Sequence, residues 1–249
     1  LTGEDFFILK ELNMEKPTSN NYVISLKRTP ERLKKFLDDN QHMQFEVFEA
    51  IDGNDIEPFG GYTKYAHAVA LSHIELWKKC AEGTEDFLIC EDDAELHKDL
   101  QRALDGLKAS KHPYDFIGWG WNFDAELFVG ILPELSPVSM HFSQEHMRQN
   151  KQNYLATPID PVLMRLYYYF GCCCYTISPA GAKRFLEILY PLQKEITVDI
   201  KGIKKFTFEA RGIDCVMAQA FVDTLSVVCF PPMALSHNDH TKSTIQNKK

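Results

Sequence analysis

The sequence lacks the features that would mark a membrane-spanning or nucleic-acid-binding protein. Its longest segment without a charged residue, residues 166 to 182, is interrupted by Gly171, Pro179 and Gly181. It is also shorter than the roughly 20 apolar residues that a transmembrane helix requires. The formal net charge is −8 at pH 7, so no excess of positive charge attracts nucleic acid or anionic lipid. We therefore expect neither a transmembrane segment nor a nucleic-acid partner.

The seven cysteines do not have the spacing of a zinc or redox motif. No Cys-x-x-Cys pair occurs, and Cys172, Cys173 and Cys174 would point to alternate faces of a strand instead of surrounding a metal ion. We interpret the thiols as reduced core residues. This favours a reducing compartment such as the cytoplasm, with peripheral association to a membrane as an alternative.

Length and composition favour one domain. With 249 residues and 45% hydrophobic content, the chain can bury a sizeable core. It begins at Leu1 without the basic, apolar and small-residue regions of a signal peptide. We expect residues 1–20 to form an N-terminal extension and residues 21–249 to form a single domain. Weak periodicity and several prolines predict a loop-rich segment at about residues 122–165.

Short apolar runs alternate with helical patterns along the chain. The runs predict strands at residues 22–26, 45–50, 87–90, 114–117, 172–177 and 225–230. Helices are predicted at residues 30–37, 64–80, 94–107, 179–189 and 212–222. This alternation predicts an α/β fold in which helices flank a mostly parallel, doubly wound sheet.

Three adjacent acids, Glu91, Asp92 and Asp93, directly follow the apolar run at residues 87–90. Strand alternation would direct Glu91 and Asp93 to one side and Asp92 to the other. Carboxylate oxygens are the ligands that Mg²⁺ and Mn²⁺ prefer, so Glu91 and Asp93 are candidate metal ligands. The alternative is a solvated turn whose acids complement the dipole of a helix at residues 94–107.

Several sequence blocks occur in an order that resembles one protein family. They are residues 22–32, Ala50-Ile51-Asp52-Gly53, Leu71-Ser72-His73 with Trp77, Glu91-Asp92-Asp93-Ala94, residues 175–182, Ile213-Asp214, Pro231-Pro232 and Ser243-Thr244-Ile245. In this order they resemble glycosyltransferase family 25, which includes bacterial lipooligosaccharide galactosyltransferases and collagen hydroxylysine galactosyltransferases. Ala68-Val69 departs from the Gly-Cys pair common in that family.

The resemblance implies a GT-A type nucleotide-sugar fold and an inverting glycosyltransferase. The donor would be a UDP-hexose, with galactose favoured over glucose, and the acceptor a hydroxyl of a saccharide or a hydroxylysine-type residue. A divalent ion, Mn²⁺ or Mg²⁺, would be held by Glu91 and Asp93, completed by His237 or a neighbouring histidine. Donor contacts are expected from Arg28, Arg32, Ser72, His73, Glu91, Asp92, Trp119 and Thr244.

Several of these residues also have a structural interpretation. Arg28 and Arg32 follow the first strand, where a phosphate could meet a helix N-terminus, but they could equally form a solvated helix face. His73 lies on an apolar helical face, where a histidine is often a core residue. Trp119 could stack on a sugar ring or pack in the core. His237 could belong to a solvated loop.

An inverting transfer needs one general base to accept the proton of the attacking hydroxyl. Asp214 is the first candidate because it opens a predicted helix behind Gly212-Ile213 and, as the resemblance implies, matches an acidic family position. Its alternative role is helix N-capping, which aspartate performs well. Asp160 is the second candidate, in a segment of weak pattern.

Two other function classes remain open from the sequence. A metal-dependent phosphodiesterase would also use clustered acids, but it usually needs ligands for two metal ions. Here histidines and aspartates are dispersed. A non-catalytic homologue that binds sugar or a partner protein should have lost the acids at positions 91, 93 or 214, and all three are present.

Overall fold

The computed structural model describes residues 20–110, 112–132, 135–200 and 203–236. The strands are β1 (Asn21–Ser25), β2 (Glu46–Glu49), β3 (Phe87–Glu91), β4 (Ala94–Leu96), β5 (Phe116–Gly118), β6 (Leu127–Leu132), β7 (Ser136–Met140), β8 (Val162–Tyr168), β9 (Cys174–Ile177), β10 (Glu195–Ile200), β11 (Lys204–Glu209), β12 (Ser226–Phe230) and β13 (Ala234–Ser236). The helices are α1 (Pro30–Asp39), α2 (Lys64–Glu82), α3 (Leu100–Ser110), α4 (Gln144–Ala156), α5 (Pro179–Leu189) and α6 (Ile213–Asp223).

The central sheet has nine strands in the order β2-β1-β3-β9-β5-β12-β8-β6-β7. Strands β1, β2 and β3 are mutually parallel, and β5 and β12 are parallel to each other. Strand β9 lies between β3 and β5 and is antiparallel to both. Six of the nine strands therefore run in one direction, and β9, β8 and β7 run in the other. The predicted α/β sheet flanked by helices is confirmed, with a mixed arrangement of strands.

Apolar side chains are buried on both faces of this sheet. In β1, Ile24 contributes to one buried cluster and Val23 to the other. In β3, Ile89 and Leu88 divide in the same way. Successive side chains of a strand point to opposite faces, so the two clusters lie on opposite sides of the sheet. Burial on both faces is typical of a central sheet in α/β proteins.

The predicted helix at residues 94–107 is wrong in its first half. Residues Ala94–Leu96 form β4, which pairs with β13, and the helix begins only at Leu100. Buried Asn40 adds to this pairing, since its amide donates to the carbonyl of Ala94 (3.0 Å) and its carbonyl accepts from the amide of Leu96 (2.8 Å). The distant partners of this segment override its helical pattern.

The segment at residues 122–165, predicted to be rich in loops, contains regular structure. It includes β6, β7, α4 and the beginning of β8. Strands β6 and β7 are irregular, with a shift in register between Val129 and Leu132. That irregularity disturbs strict alternation, so the sequence pattern is weak although strands form.

Helix α6 is fixed at its carboxyl end by Arg165 of β8. The guanidinium donates to the carbonyls of Phe221 and Val222 (both 3.0 Å) and to that of Ser226 (2.7 Å). The last carbonyls of a helix have no partners within it, so a cation at this end satisfies them and complements the dipole.

No helix in the described ranges is both long and apolar enough to cross a membrane.

We expect Asn40→Ala to destabilise the fold by about 2 kcal/mol or more, because it leaves buried backbone groups of β4 without partners. The measurement is urea unfolding, with Asn21→Ala as a control. The Asn21 side chain makes one exposed hydrogen bond, to the carbonyl of Gln44 (3.0 Å), so its loss should cost much less. Equal losses in the two variants would contradict this role of Asn40.

Candidate active site

The candidate residues meet at one edge of the central sheet. Parallel strands β1 and β3 place Ile24 opposite Glu91, so both strands end at this edge. Because β9 runs in the opposite direction, the residues that precede it, Cys172 and Cys173, lie at the same edge. The amide of Glu91 donates to the carbonyl of Cys173 (2.9 Å). This is the carboxyl edge of the main set of strands, where open α/β sheets bind ligands.

Glu91 is held by two buried side chains. Its Oε1 atom lies 3.3 Å from Nε2 of His73 and accepts from the Cys172 thiol at 3.0 Å. Burial alone would raise the pKa of Glu91, but His73, the thiol and the charge of Arg32 outweigh burial and lower it. The side chain keeps 27% of its surface exposed. Glu91 is thus a fixed carboxylate that solvent can still reach.

A buried hydrogen-bond chain orients His73. The Trp77 indole donates to the Tyr175 hydroxyl at 2.9 Å, and Nδ1 of His73 lies 2.8 Å from the same oxygen. Indole is a donor only, so the Tyr175 oxygen accepts from Trp77 and its own O–H group can donate a hydrogen bond to Nδ1. We assign the Nε2 proton of His73 to the hydrogen bond with Glu91 on this basis. The spacing of His73 and Trp77, one helical turn apart on α2, allows both to contact Tyr175.

Asp92 has a different environment from Glu91. One oxygen accepts from the Ser25 hydroxyl at 2.7 Å, and the other pairs with Arg32 at 2.5 Å. Burial raises the pKa of Asp92, and Arg32 and Ser25 oppose that effect. Asp92 therefore connects the end of β1 to α1. It holds Arg32, which was predicted to contact the UDP-sugar, beside the acids. Of the arginine side chain, 28% is exposed.

Asp93 accepts a hydrogen bond from Ser236 at 3.1 Å. Burial, followed by the negative charge of Glu91, raises the pKa of Asp93 to about 6. The residue is nevertheless exposed to solvent. Glu91 and Asp93 thus have separate protein partners, and the charge of Glu91 opposes ionisation of Asp93.

Asp214 belongs to the same region. The predicted helix start is confirmed, because α6 begins at Ile213. The Asp214 carboxylate accepts from the amides of Cys215 (2.9 Å) and Gly171 (3.2 Å), which joins α6 to the loop before β9. Burial raises the pKa of Asp214, and the negative charge of Glu91 adds to this rise. The N-cap position is Gly212, so Asp214 is not the capping residue.

A buried hydroxyl near Asp214 has no hydrogen-bond partner in the part of the chain that the structure describes. The oxygen of Tyr62 is buried and makes no hydrogen bond within the described ranges. Burial, Cys215 and Asp214 raise the pKa of Tyr62. Buried polar atoms without partners are uncommon in folded proteins. This orphaned donor marks a place where a polar ligand group or water would be stabilised.

Two other predicted donor contacts, Arg28 and Ser72, have partners within the protein. Arg28 pairs with Asp52 at 2.7 Å, and 30% of its side chain is exposed. Ser72 is fully buried, where its hydroxyl donates to the carbonyl of Ala68 and accepts from the amide of Ile51, both at 2.9 Å. Ser72 therefore fixes the loop that carries Asp52, and its donor contact stays a prediction.

Trp119, which was predicted to contact the donor, has a buried indole, and the donor contact stays a prediction. The indole is 1% exposed and donates to the Thr176 hydroxyl at 2.7 Å. Its backbone connects strands, since its amide donates to Cys174 (3.0 Å) and its carbonyl accepts from Met233 (2.7 Å). Trp119 thus belongs to the core.

Asp160, the second candidate base, is 90% exposed and pairs with Arg102.

The predictions for His237 and Thr244 concern positions outside the described residues.

Cys172 is the functional candidate that sequence reasoning missed. Its contact with Glu91 depends on the antiparallel position of β9. The triple cysteine gave no signal of this, because neither composition nor spacing indicates which cysteine faces the acids.

Comparison with known proteins identifies the family. Residues 18–201 match the model of glycosyltransferase family 25, described as "LPS biosynthesis protein". This match covers more than half of the chain. The chain belongs to glycosyltransferase family 25. The family 25 assignment from the sequence blocks is therefore confirmed, and it gives this protein a role in glycosyl transfer.

Two similar proteins differ in how closely they match this chain. A Haemophilus influenzae protein named "Putative glycosyltransferase" is 25% identical over 214 residues, which cover 80% of this family 25 chain and 67% of the relative. A crystal structure from Bacillus anthracis, titled as a "Putative Glucose-1-Phosphate Thymidylyltransferase" in complex with a sucrose, has a TM-score of 0.31 and 13% identity. The match covers 80% of this chain and 74% of the Bacillus anthracis chain. A similarity at that TM-score carries no functional inference.

We expect Asp93→Asn to change the pH dependence of stability in metal-free protein. The folded state binds the Asp93 proton more tightly than the unfolded chain, so this stabilisation is present at low pH and is lost as pH rises through about 6. The melting temperature of Asp93→Asn relative to wild type should therefore increase between about pH 4 and pH 7. Thermal melts in EDTA measure this difference.

The control is Asp105→Asn on α3, an exposed position whose carboxylate accepts from Gln101. It should not reproduce the rising difference. A gap between Asp93→Asn and wild type that stays constant with pH, or shrinks as pH rises, would contradict the environment described for Asp93.

Proposed function

We propose that this family 25 protein transfers a hexose from a UDP-sugar to an acceptor hydroxyl with inversion at the anomeric carbon. The observation that carries the proposal is the grouping of Glu91, Asp93 and Asp214 at the carboxyl edge of the sheet. The raised pKa values of Asp93 and Asp214 both include a contribution from Glu91. Such a concentration of negative charge at the edge of the sheet suits a reaction that binds a cation and removes a proton.

Glu91 and Asp93 fit a divalent cation of the Mn²⁺ or Mg²⁺ type. Each uses one oxygen for the protein contacts given above, which leaves one carboxylate oxygen for a metal. Their mutual repulsion would be relieved by a cation between them. When bound, the ion would neutralise the charge that develops on the leaving diphosphate. Arg32, which already lies beside Asp92, would add a positive charge on the same side.

Asp214 is the proposed general base. Two backbone amides hold its carboxylate, so its orientation is fixed. Its raised pKa makes the ionised form a stronger proton acceptor than an ordinary aspartate. The acceptor hydroxyl would give its proton to Asp214 while its oxygen attacks the anomeric carbon. The bond from that carbon to the diphosphate oxygen breaks in the same displacement, and UDP leaves.

The donor and acceptor are proposed by chemical class. A UDP-galactose donor is favoured, with UDP-glucose as the alternative, and the acceptor is a saccharide or hydroxylysine-type hydroxyl. Tyr62 supports a hydroxyl-rich ligand near Asp214, because its buried oxygen lacks a protein partner in the described ranges. Release of UDP from a panel of UDP-hexoses, with and without acceptors, tests this function. A non-catalytic homologue would bind without releasing UDP.

We expect UDP to bind more tightly in Mn²⁺ than in EDTA, and Asp93→Asn to abolish that difference. The physical reason is the loss of one of two carboxylates that hold the ion. Because Asp93 is exposed, the fold should be nearly unchanged. Calorimetric titration with UDP measures the effect, with Asp105→Asn as the matched control. Equal UDP affinity of wild type in EDTA and in Mn²⁺ would rule out the metal proposal.

We expect Asp214→Asn to lower turnover by roughly 100-fold or more, the scale of general-base catalysis, with donor affinity unchanged. Asparagine keeps the size of the side chain but cannot accept the proton. Asp160→Asn is the control and should retain turnover. If Asp160→Asn loses activity and Asp214→Asn does not, the assignment of the base is reversed.

A further inference from the structure

We infer that His73, Glu91 and Cys172 form a site for a thiophilic divalent cation such as Zn²⁺, which shares Glu91 with the oxygen-ligand site proposed at Glu91 and Asp93 but has nitrogen and sulfur as its other ligands. The three side chains come from α2, the end of β3 and the residues before β9. Each offers one atom, and these atoms lie within 4.8 Å of one another. Nitrogen, oxygen and sulfur donors of this kind are the usual ligands of zinc.

The distances among the three atoms fit zinc coordination. Sγ of Cys172 lies 3.0 Å from Oε1 of Glu91 and 3.8 Å from Nε2 of His73, and the latter two atoms are 3.3 Å apart. The centre of a triangle with these sides is ~2.0 Å from each corner, close to the zinc bond lengths of about 2.0 to 2.3 Å. A displacement out of the plane would lengthen all three bonds equally, and a small shift of the ion away from Sγ would give the longer bond that sulfur requires.

The surroundings also suit a bound metal. Nδ1 of His73 faces the hydroxyl of Tyr175 at 2.8 Å, which is an outer partner of the kind that orients a metal-binding histidine. His73 is fully buried and Cys172 is 6% exposed, whereas 27% of the Glu91 side chain is exposed. An ion could enter from the Glu91 side and keep one open position, which three-ligand zinc sites have.

Binding would require a change in protons. The Cys172 thiol must lose its proton to solvent, because the thiolate is the ligand. The proton assigned to Nε2 of His73 must be replaced by one on Nδ1, where the Tyr175 oxygen can accept it. Zinc affinity should therefore increase with pH. The thiol ligand distinguishes this site from the acid pair, because sulfur favours Zn²⁺ over Mg²⁺ and Mn²⁺.

The site and the proposed transfer share Glu91. Bound Zn²⁺ would occupy the Glu91 carboxylate that is proposed to bind the catalytic ion. Zinc should therefore inhibit transfer, and added Mn²⁺ should not fully restore the activity. This consequence rests on the proposed function. Zinc binding itself does not, and it is measured without any nucleotide sugar.

The test uses the full 249-residue chain, reduced and freed of metal. Titration with Co²⁺ should give a thiolate-to-cobalt charge-transfer absorption in wild type, and calorimetry should show one Zn²⁺ bound. Cys172→Ser should lose the absorption and weaken Zn²⁺ binding more than ~100-fold, because even outer partners of metal ligands contribute 10- to 100-fold. Cys229→Ser is the matched control, since it also replaces a buried thiol, and should retain both signals.

The wild-type cobalt spectrum needs no variant, so the inference stays testable if Cys172→Ser folds poorly. Absence of the charge-transfer band in wild type would overturn it, as would unchanged Zn²⁺ affinity in folded Cys172→Ser. If zinc binds through Cys172 but no UDP-hexose is ever consumed, the metal site stands and the proposed transferase activity fails.

Discussion

The antiparallel insertion of β9 between β3 and β5 is the constraint on which the candidate site depends. Hydrogen bonds from both neighbours fix the register, with Cys90 opposite Cys174 and Gly118 opposite Tyr175. A shift by one residue would exchange the faces to which the side chains of β9 point. Tyr175 would then no longer meet His73 and Trp77, and Glu91 would lose the orientation of its histidine partner.

Around this register, the protein separates three adjacent acids into three environments. Glu91 accepts from buried donors, Asp92 is paired with Arg32, and Asp93 is exposed to solvent while the charge of Glu91 opposes its ionisation. The environment of each group, and not its identity as an acid, determines its protonation. Asp214 adds a fourth carboxyl group from a different part of the chain. This concentration of charge is characteristic of a site for cation binding and proton transfer.

Distant partners changed one predicted element and gave two predicted site residues contacts that the sequence did not indicate. The segment that begins at Ala94 has a helical pattern, yet it becomes β4 because β13 and Asn40 pair with it. Trp119 follows a strand at the correct edge, yet its indole turns inward to Thr176. Ser72 belongs to a family block, but it serves the loop around Ile51. A local pattern carries no information about a partner that lies many residues away.

The sequence by itself determined the α/β class, six of the nine strands of the central sheet, five of the six helices in the described ranges, the family, and the edge of the sheet that carries the acids. Periodicity and strand-end chemistry encode these properties, since they depend on neighbouring residues. Only the tertiary structure decided which face each acid occupies, that Cys172 touches Glu91, and that Asp214 lies in the same region. These depend on the pairing of β9 with β3, which brings together residues about 80 positions apart.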